Sequence, residues 1–161
     1  MFLLILSSFS FFYKNEGQTK KLENKMNREI INNFSKAIKK DPKNFLFYLE
    51  RGISKLDYGD YVGAIKDFNY SLKLNPNPKA IFYRANTKYA YGDHEGAIKD
   101  FKKLIPKNTF QDYIFYNIAN SELILLNYFE AIKNYTKSIN YDQDDENAFL
   151  NRGNAKFKLG D

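Results

Sequence analysis

The sequence predicts an all-α fold, a solenoid of antiparallel helix pairs, and three observations predict it. A piece of sequence recurs. Gly59-Asp60-Tyr61-Val62-Gly63-Ala64-Ile65-Lys66-Asp67-Phe68 returns as Gly92-Asp93-His94-Glu95-Gly96-Ala97-Ile98-Lys99-Asp100-Phe101, then as Asn127-Tyr128-Phe129-Glu130-Ala131-Ile132-Lys133-Asn134-Tyr135, at offsets of 33 and 34. A second piece recurs upstream of each copy. Tyr48-Leu49-Glu50-Arg51-Gly52 matches Ile81-Phe82-Tyr83-Arg84-Ala85, Phe115-Tyr116-Asn117-Ile118-Ala119 and Phe149-Leu150-Asn151-Arg152-Gly153. Self-similarity at this period marks repeat architectures. Finally, the runs of helical periodicity are punctuated by Gly-Asp and by Asn-Pro or Asp-Pro, which end helices and open new ones.

Residues 1–13 are almost continuously apolar, Phe2 to Leu6 being followed by Ser7, Ser8, Phe9, Ser10, Phe11, Phe12 and Tyr13. A helix needs about 20 residues to cross a bilayer, so this segment predicts no stable membrane span. Its length and the small Ser8 and Ser10 suit the apolar part of a secretory signal peptide. No Lys or Arg precedes it, which suits instead an apolar helix capping the first repeat. The first reading exports a mature chain beginning near Phe11; the second keeps the protein cytoplasmic.

Residues 14–28 read as a basic linker or a degenerate first helix. Residues 1–40 hold eight Lys or Arg against three Asp or Glu, whereas residues 41–161 hold seventeen against sixteen. The repeat region is therefore nearly neutral. A nucleic-acid binder would place its basic stripe on the ordered face, so no nucleic-acid partner is expected, and the amino-terminal charge reads as a solvated segment.

Residues 29–44 read as a half repeat, a second helix carrying Ile30, Ile31, Phe34, Ala37 and Ile38 and ending at Asp41-Pro42. Repeat 1 spans 45–77. A first helix over 45–57 breaks at Tyr58-Gly59-Asp60, where Gly stops one helix and Asp caps the next. A second helix over 61–74 carries Ala64, Ile65, Phe68, Ser71 and Leu72 at helical spacing, and Asn75-Pro76-Asn77-Pro78 ends it. Repeat 2 (78–111) and repeat 3 (112–145) follow the same plan. Small residues at Gly52, Ala85 and Ala119, and at Ala64, Ala97 and Ala131, recur with a large ring at Phe68, Phe101 and Tyr135. Small facing large lets two helices interlock. Residues 146–161 form the first helix of a fourth repeat. The chain stops at Leu159-Gly160-Asp161, where other units turn into a second helix, so a fragment or truncated chain is expected.

The Gly or Ala of the first helix, the Gly-Asp-Tyr turn, the Ala-Ile pair, the following aromatic and the Asn-Pro stop resemble the tetratricopeptide repeat family over residues 45–161. The resemblance implies a right-handed superhelical solenoid whose concave groove binds peptides or partner proteins. It also implies the groove-lining positions on the first helices. In repeat 2 these are Lys79, Phe82, Tyr83, Asn86 and Tyr89. In repeat 3 they are Tyr113, Tyr116, Asn117, Asn120 and Leu123, and in the last helix Leu150, Asn151, Asn154 and Phe157. Asn86, Asn120 and Asn154 form a column that can donate to and accept from a peptide backbone, and the same residues also suit ordinary helix surface. Family members that grip a terminal carboxylate use lysines at places held here by Leu49, Phe82 and Tyr116, so that clamp is not expected.

Arg51, Lys55 and Asp67 recur as Arg84, Lys88 and Asp100, and change together to Ile118, Glu122 and Asn134. Their joint change predicts a charge cluster within each of the first two units, structural in role, with a bound anion as the rival reading.

Catalysis finds little support. Cysteine is absent and His94 is the single histidine, which removes thiolate chemistry and sites needing two imidazoles. Asp142, Asp144, Asp145 and Glu146 lack the glycine and terminal glutamate of a calcium loop and read as a solvated, capping link. No glycine-rich phosphate loop is present, and neither metal nor cofactor is expected. The function predicted is non-catalytic binding of a protein or peptide. The alternatives are a structural, self-associating module and a regulatory segment of a larger protein.

Overall fold

The computed structural model describes residues 2–107 and 110–160, with side chains for 19–106 and 110–160. Among the described residues it contains eight α-helices, one short 3-10 turn and no strand: α1 (Phe2–Lys40), α2 (Phe45–Tyr58), α3 (Tyr61–Leu74), α4 (Pro78–Tyr91), α5 (His94–Leu104), the turn Ile105–Lys107, α6 (Gln111–Ile124), α7 (Tyr128–Tyr141) and α8 (Glu146–Leu159). Each helix packs on its neighbours in the chain. The pairs α2/α3, α4/α5 and α6/α7 thus stack between α1 and α8.

The turns follow from local chemistry. Gly59 and Gly92 take φ of 88° and 92°, a region open to glycine at little cost. Asp60 and Asp93 then cap α3 and α5, each accepting from the amide three residues on, Gly63 and Gly96, at 2.9 Å. In the third pair the glycine's place is taken by Leu126, the one non-glycine with positive φ (63°) among the described residues. Asn44, Asn77 and Asp145 cap α2, α4 and α8 with their side chains.

Packing realises the small-against-large pattern. Ala64, Phe68, Leu49 and Ala80 form one buried cluster, Ala85, Ala97, Phe101, Leu104, Ile114 and Ile118 belong to a second, and Ala119, Ala131, Tyr135, Ala148 and Ala155 to a third. A Cβ built on Gly52 would lie 2.7 Å from the Phe68 ring, so the bare backbone of α2 is what lets that ring pack so close to it.

One reading needs correction. Residues 14–28 are neither a linker nor a separate first helix, because α1 runs through them without a break from Phe2 to Lys40. No proline interrupts this stretch, and nothing else in it stops a helix already under way. The side chains of the apolar segment 1–13 lie outside the described residues. Among the described residues, no helix is long and apolar enough to cross a membrane.

Candidate peptide-binding groove

The first helices of the second and third pairs, α4 and α6, frame an open cleft of about 500 Å³. Its walls are Pro78, Lys79, Phe82 and Tyr83 from α4, with Phe110, Asp112 and Tyr113 from the start of α6. The lining is mostly aromatic. The Phe82 ring lies edge-on to Tyr83 at 5.7 Å and tilted against Tyr113 at 5.5 Å. Lys79 reaches over the Tyr83 ring at 6.0 Å and pairs with Glu50 of α2 at 3.0 Å. One cation and one carboxylate, Asp112, therefore border a wall of rings, a surface able to take an apolar or aromatic side chain while its backbone meets polar edges.

Of the residues singled out from sequence, Lys79, Phe82, Tyr83 and Tyr113 line this cleft. Asn86 stands beside it and is already engaged: its amide donates to the Phe82 carbonyl at 3.0 Å and its oxygen accepts from the Tyr113 hydroxyl at 2.7 Å. Two of the three asparagines of the column, Asn86 and Asn120, accept hydrogen bonds from tyrosine hydroxyls within the chain. Asn120 accepts from the Tyr135 hydroxyl at 2.6 Å, tying α6 to α7, and only Asn154 is exposed. Asn117 is buried and donates to the Tyr113 carbonyl of its own helix. Asn151 donates to the Tyr116 hydroxyl at 3.2 Å, linking α8 to α6. Tyr89 meets His94 edge-on at 5.3 Å, so His94 packs at the turn.

Burial, reinforced by the neighbouring Tyr116, pushes the Tyr89 phenol up. Burial also pushes Tyr113 up, against the hydrogen bonds with Asn86 and Asn117. Both remain neutral hydroxyls at physiological pH. Sequence reasoning missed Pro78, Phe110 and Asp112. The signal was Phe110 itself, an aromatic at the start of α6 where α2, α4 and α8 begin on Asn44, Asn77 and Asp145.

The aspartates at the centre of the charge clusters are buried. Arg51 grips Asp67 with Nε at 2.8 Å and Nη2 at 2.6 Å, and Lys55 adds a contact at 2.8 Å. Arg84 grips Asp100 at 2.7 and 2.6 Å, with Lys88 at 2.8 Å and Lys103 at 2.9 Å. The third guanidinium nitrogen of each Arg reaches the preceding second helix, at Ser35 of α1 and Asn69 of α3. One fork thus ties three helices, and the aspartate occupies the place where an anion would sit. In the third pair the buried Glu122 accepts instead from Asn127 at 2.8 Å. Asp145 caps α8 through the amides of Asn147 and Ala148. Among the described residues, no group of three or more His, Asp or Glu side chains is arranged to hold a metal.

Residues 127–160, which cover α7 and α8, match the family model described as TPR repeat, the tetratricopeptide repeat. No curated protein matches the sequence. Solved structures share the fold. MamA is 22% identical with a TM-score of 0.75, covering 81% of this chain and 77% of that one. YrrB, described as a TPR protein with an unusual peptide-binding site, is 16% identical with a TM-score of 0.66, covering 79% and 66%. The first TPR of Spaghetti (RPAP3), bound to the HSP90 peptide SRMEEVD, is 19% identical with a TM-score of 0.66, covering 75% and 97%. At these identities the likeness establishes a tetratricopeptide-type solenoid.

Proposed function

We propose that this tetratricopeptide-type solenoid is a non-catalytic scaffold that binds an extended segment of a partner protein in the cleft between α4 and α6. The observation that carries the reading is the ring-lined wall of Phe82, Tyr83, Phe110 and Tyr113 with Lys79 and Asp112 at its border. Two structural neighbours, YrrB and the Spaghetti repeat, are described with a peptide-binding site and with a bound peptide respectively, which supports the use of such a surface. The ligand class differs from an acidic tail. Phe82 stands where a lysine would grip a terminal carboxylate, and Lys79 is paired with Glu50. We infer a segment with an apolar or aromatic anchor.

The test is affinity capture with mass spectrometry, comparing the parent with a variant carrying Lys79→Glu and Phe110→Ala. Both side chains are exposed, so the variant keeps its core. Asn86 and Asn120 are poor choices, because their loss would unpick bonds between helices. A partner held by the parent and lost by the folded variant supports groove binding. Equal capture by both removes the cleft from the function.

A further inference from the structure

One face of α8 repeats the side of α2 that receives α3. Tyr48, Arg51, Gly52 and Lys55 of α2 correspond in the repeat to Phe149, Arg152, Gly153 and Lys156 of α8. On α2 this set is filled: Tyr48 stacks on Tyr70 at 5.4 Å, Phe68 lies over Gly52, and Arg51 and Lys55 converge on Asp67. α4 repeats the arrangement with Arg84, Ala85 and Lys88 around Asp100 and Phe101. On α8 the same set is empty. Phe149 is 44% exposed, a Cβ on Gly153 would meet nothing within 4 Å, and Lys156 is exposed. Arg152 lies over the Phe149 ring at 5.2 Å and donates to the Thr136 hydroxyl at 3.4 Å. Among the described residues, neither Arg152 nor Lys156 has a carboxylate partner.

We propose that this face of α8 docks a partner helix, external to residues 1–161, that presents a small residue followed three and four positions later by an aspartate and an aromatic ring. That is the pattern of Ala64, Asp67 and Phe68 and of Ala97, Asp100 and Phe101, each of which is bound by the corresponding face within this molecule. The aspartate enters the fork of Arg152 and Lys156, and the ring covers Gly153. A second copy docked through the same face is disfavoured by charge, because it would set Arg152 and Lys156 against their own counterparts.

The probe is a fluorescein-labelled peptide with the sequence of residues 60–76, titrated by anisotropy into the full chain. Saturable binding is expected, weakened about tenfold by Arg152→Glu with Lys156→Glu and restored when the peptide carries Asp67→Lys. Circular dichroism checks that the protein variant keeps its helices. Absence of saturable binding, affinity indifferent to the charge reversal, or failure of the swapped peptide to restore it would each overturn the proposal. So would dimerisation without peptide that the two substitutions abolish, since a second copy would then be the occupant. The Lys79→Glu, Phe110→Ala variant must still bind the peptide. Loss there would move the peptide into the α4–α6 cleft and sink this proposal, while leaving the groove reading standing.

Discussion

Arg84 holds Asp100 in a two-pronged ion pair, Nε to Oδ2 at 2.7 Å and Nη2 to Oδ1 at 2.6 Å, with only 1% of the carboxylate side chain exposed. The pair joins α4 to α5, and the same guanidinium reaches Asn69 of α3 at 2.6 Å. Removing the carboxylate leaves Arg84 and Lys88 half-buried without a counter-charge. Asp100→Ala should therefore cost about 3–5 kcal/mol. Lys103→Ala removes a partner that is 55% exposed and should cost about 1 kcal/mol or less. Urea denaturation of both variants checks this. Equal midpoints for the two would show that burial gives the cluster no special weight.

The same carboxylate sets an acid limit. Burial alone would raise its pKa, but hydrogen bonds from Arg84, Lys88 and Lys103 overcome that and hold it at about 2, against an ordinary 3.8. A folded-state pKa below the unfolded value gives stability that is complete above pH 3.8 and is lost as pH falls towards 2. The linkage is worth about 2 kcal/mol. Thermal midpoints should fall between pH 4 and pH 2, and Asp100→Asn should flatten that part of the curve. A variant whose acid slope matched the parent's would exclude Asp100 as its source.

The charge clusters and the helix pairs were legible in the sequence because each rests on a local device. Gly59 and Gly92 stop a helix, Asp60 and Asp93 start the next, and Arg51 and Asp67 change in step with each other's copies. The continuity of α1 was not legible, since the repeat pattern that locates every other helix is lost across residues 14–28. The roles of Asn86 and Asn120 were hidden for a different reason. Spacing places them on one side of α4 and α6, but their partners, the Tyr113 and Tyr135 hydroxyls, stand 27 and 15 residues away. Which long side chain reaches which amide depends on how the helices stack.

Leu126 shows a departure from the repeat that should carry a measurable penalty. It holds φ of 63° at a turn where the sister units place Gly59 and Gly92, and its side chain is 68% exposed. A left-handed leucine costs about 1–2 kcal/mol, of which the added freedom of glycine in the unfolded chain takes back a part. Leu126→Gly should raise stability by about 1 kcal/mol. Chemical denaturation reads the change directly, and a loss of stability would mean that the exposed leucine makes a contact outweighing its backbone strain.

The same substitution at two equivalent positions should act with opposite sign. In a helix interior, alanine is favoured over glycine by about 1 kcal/mol where space permits. At Gly153 space permits, since a Cβ there meets nothing within 4 Å, and Gly153→Ala should stabilise the chain by about 0.5–1 kcal/mol. At Gly52 the added carbon would sit 2.7 Å from one ring carbon of Phe68 and 2.9 Å from another. Phe68 is fully buried, packed with Leu49 and Ala64, so the ring has nowhere to yield. Overpacking of this kind costs about 1–3 kcal/mol, enough to reverse the helix preference, and Gly52→Ala should destabilise. Paired denaturation curves decide it, because a gain at both positions would mean that the Phe68 ring can slide aside and that close approach of α2 and α3 is not what the glycine provides.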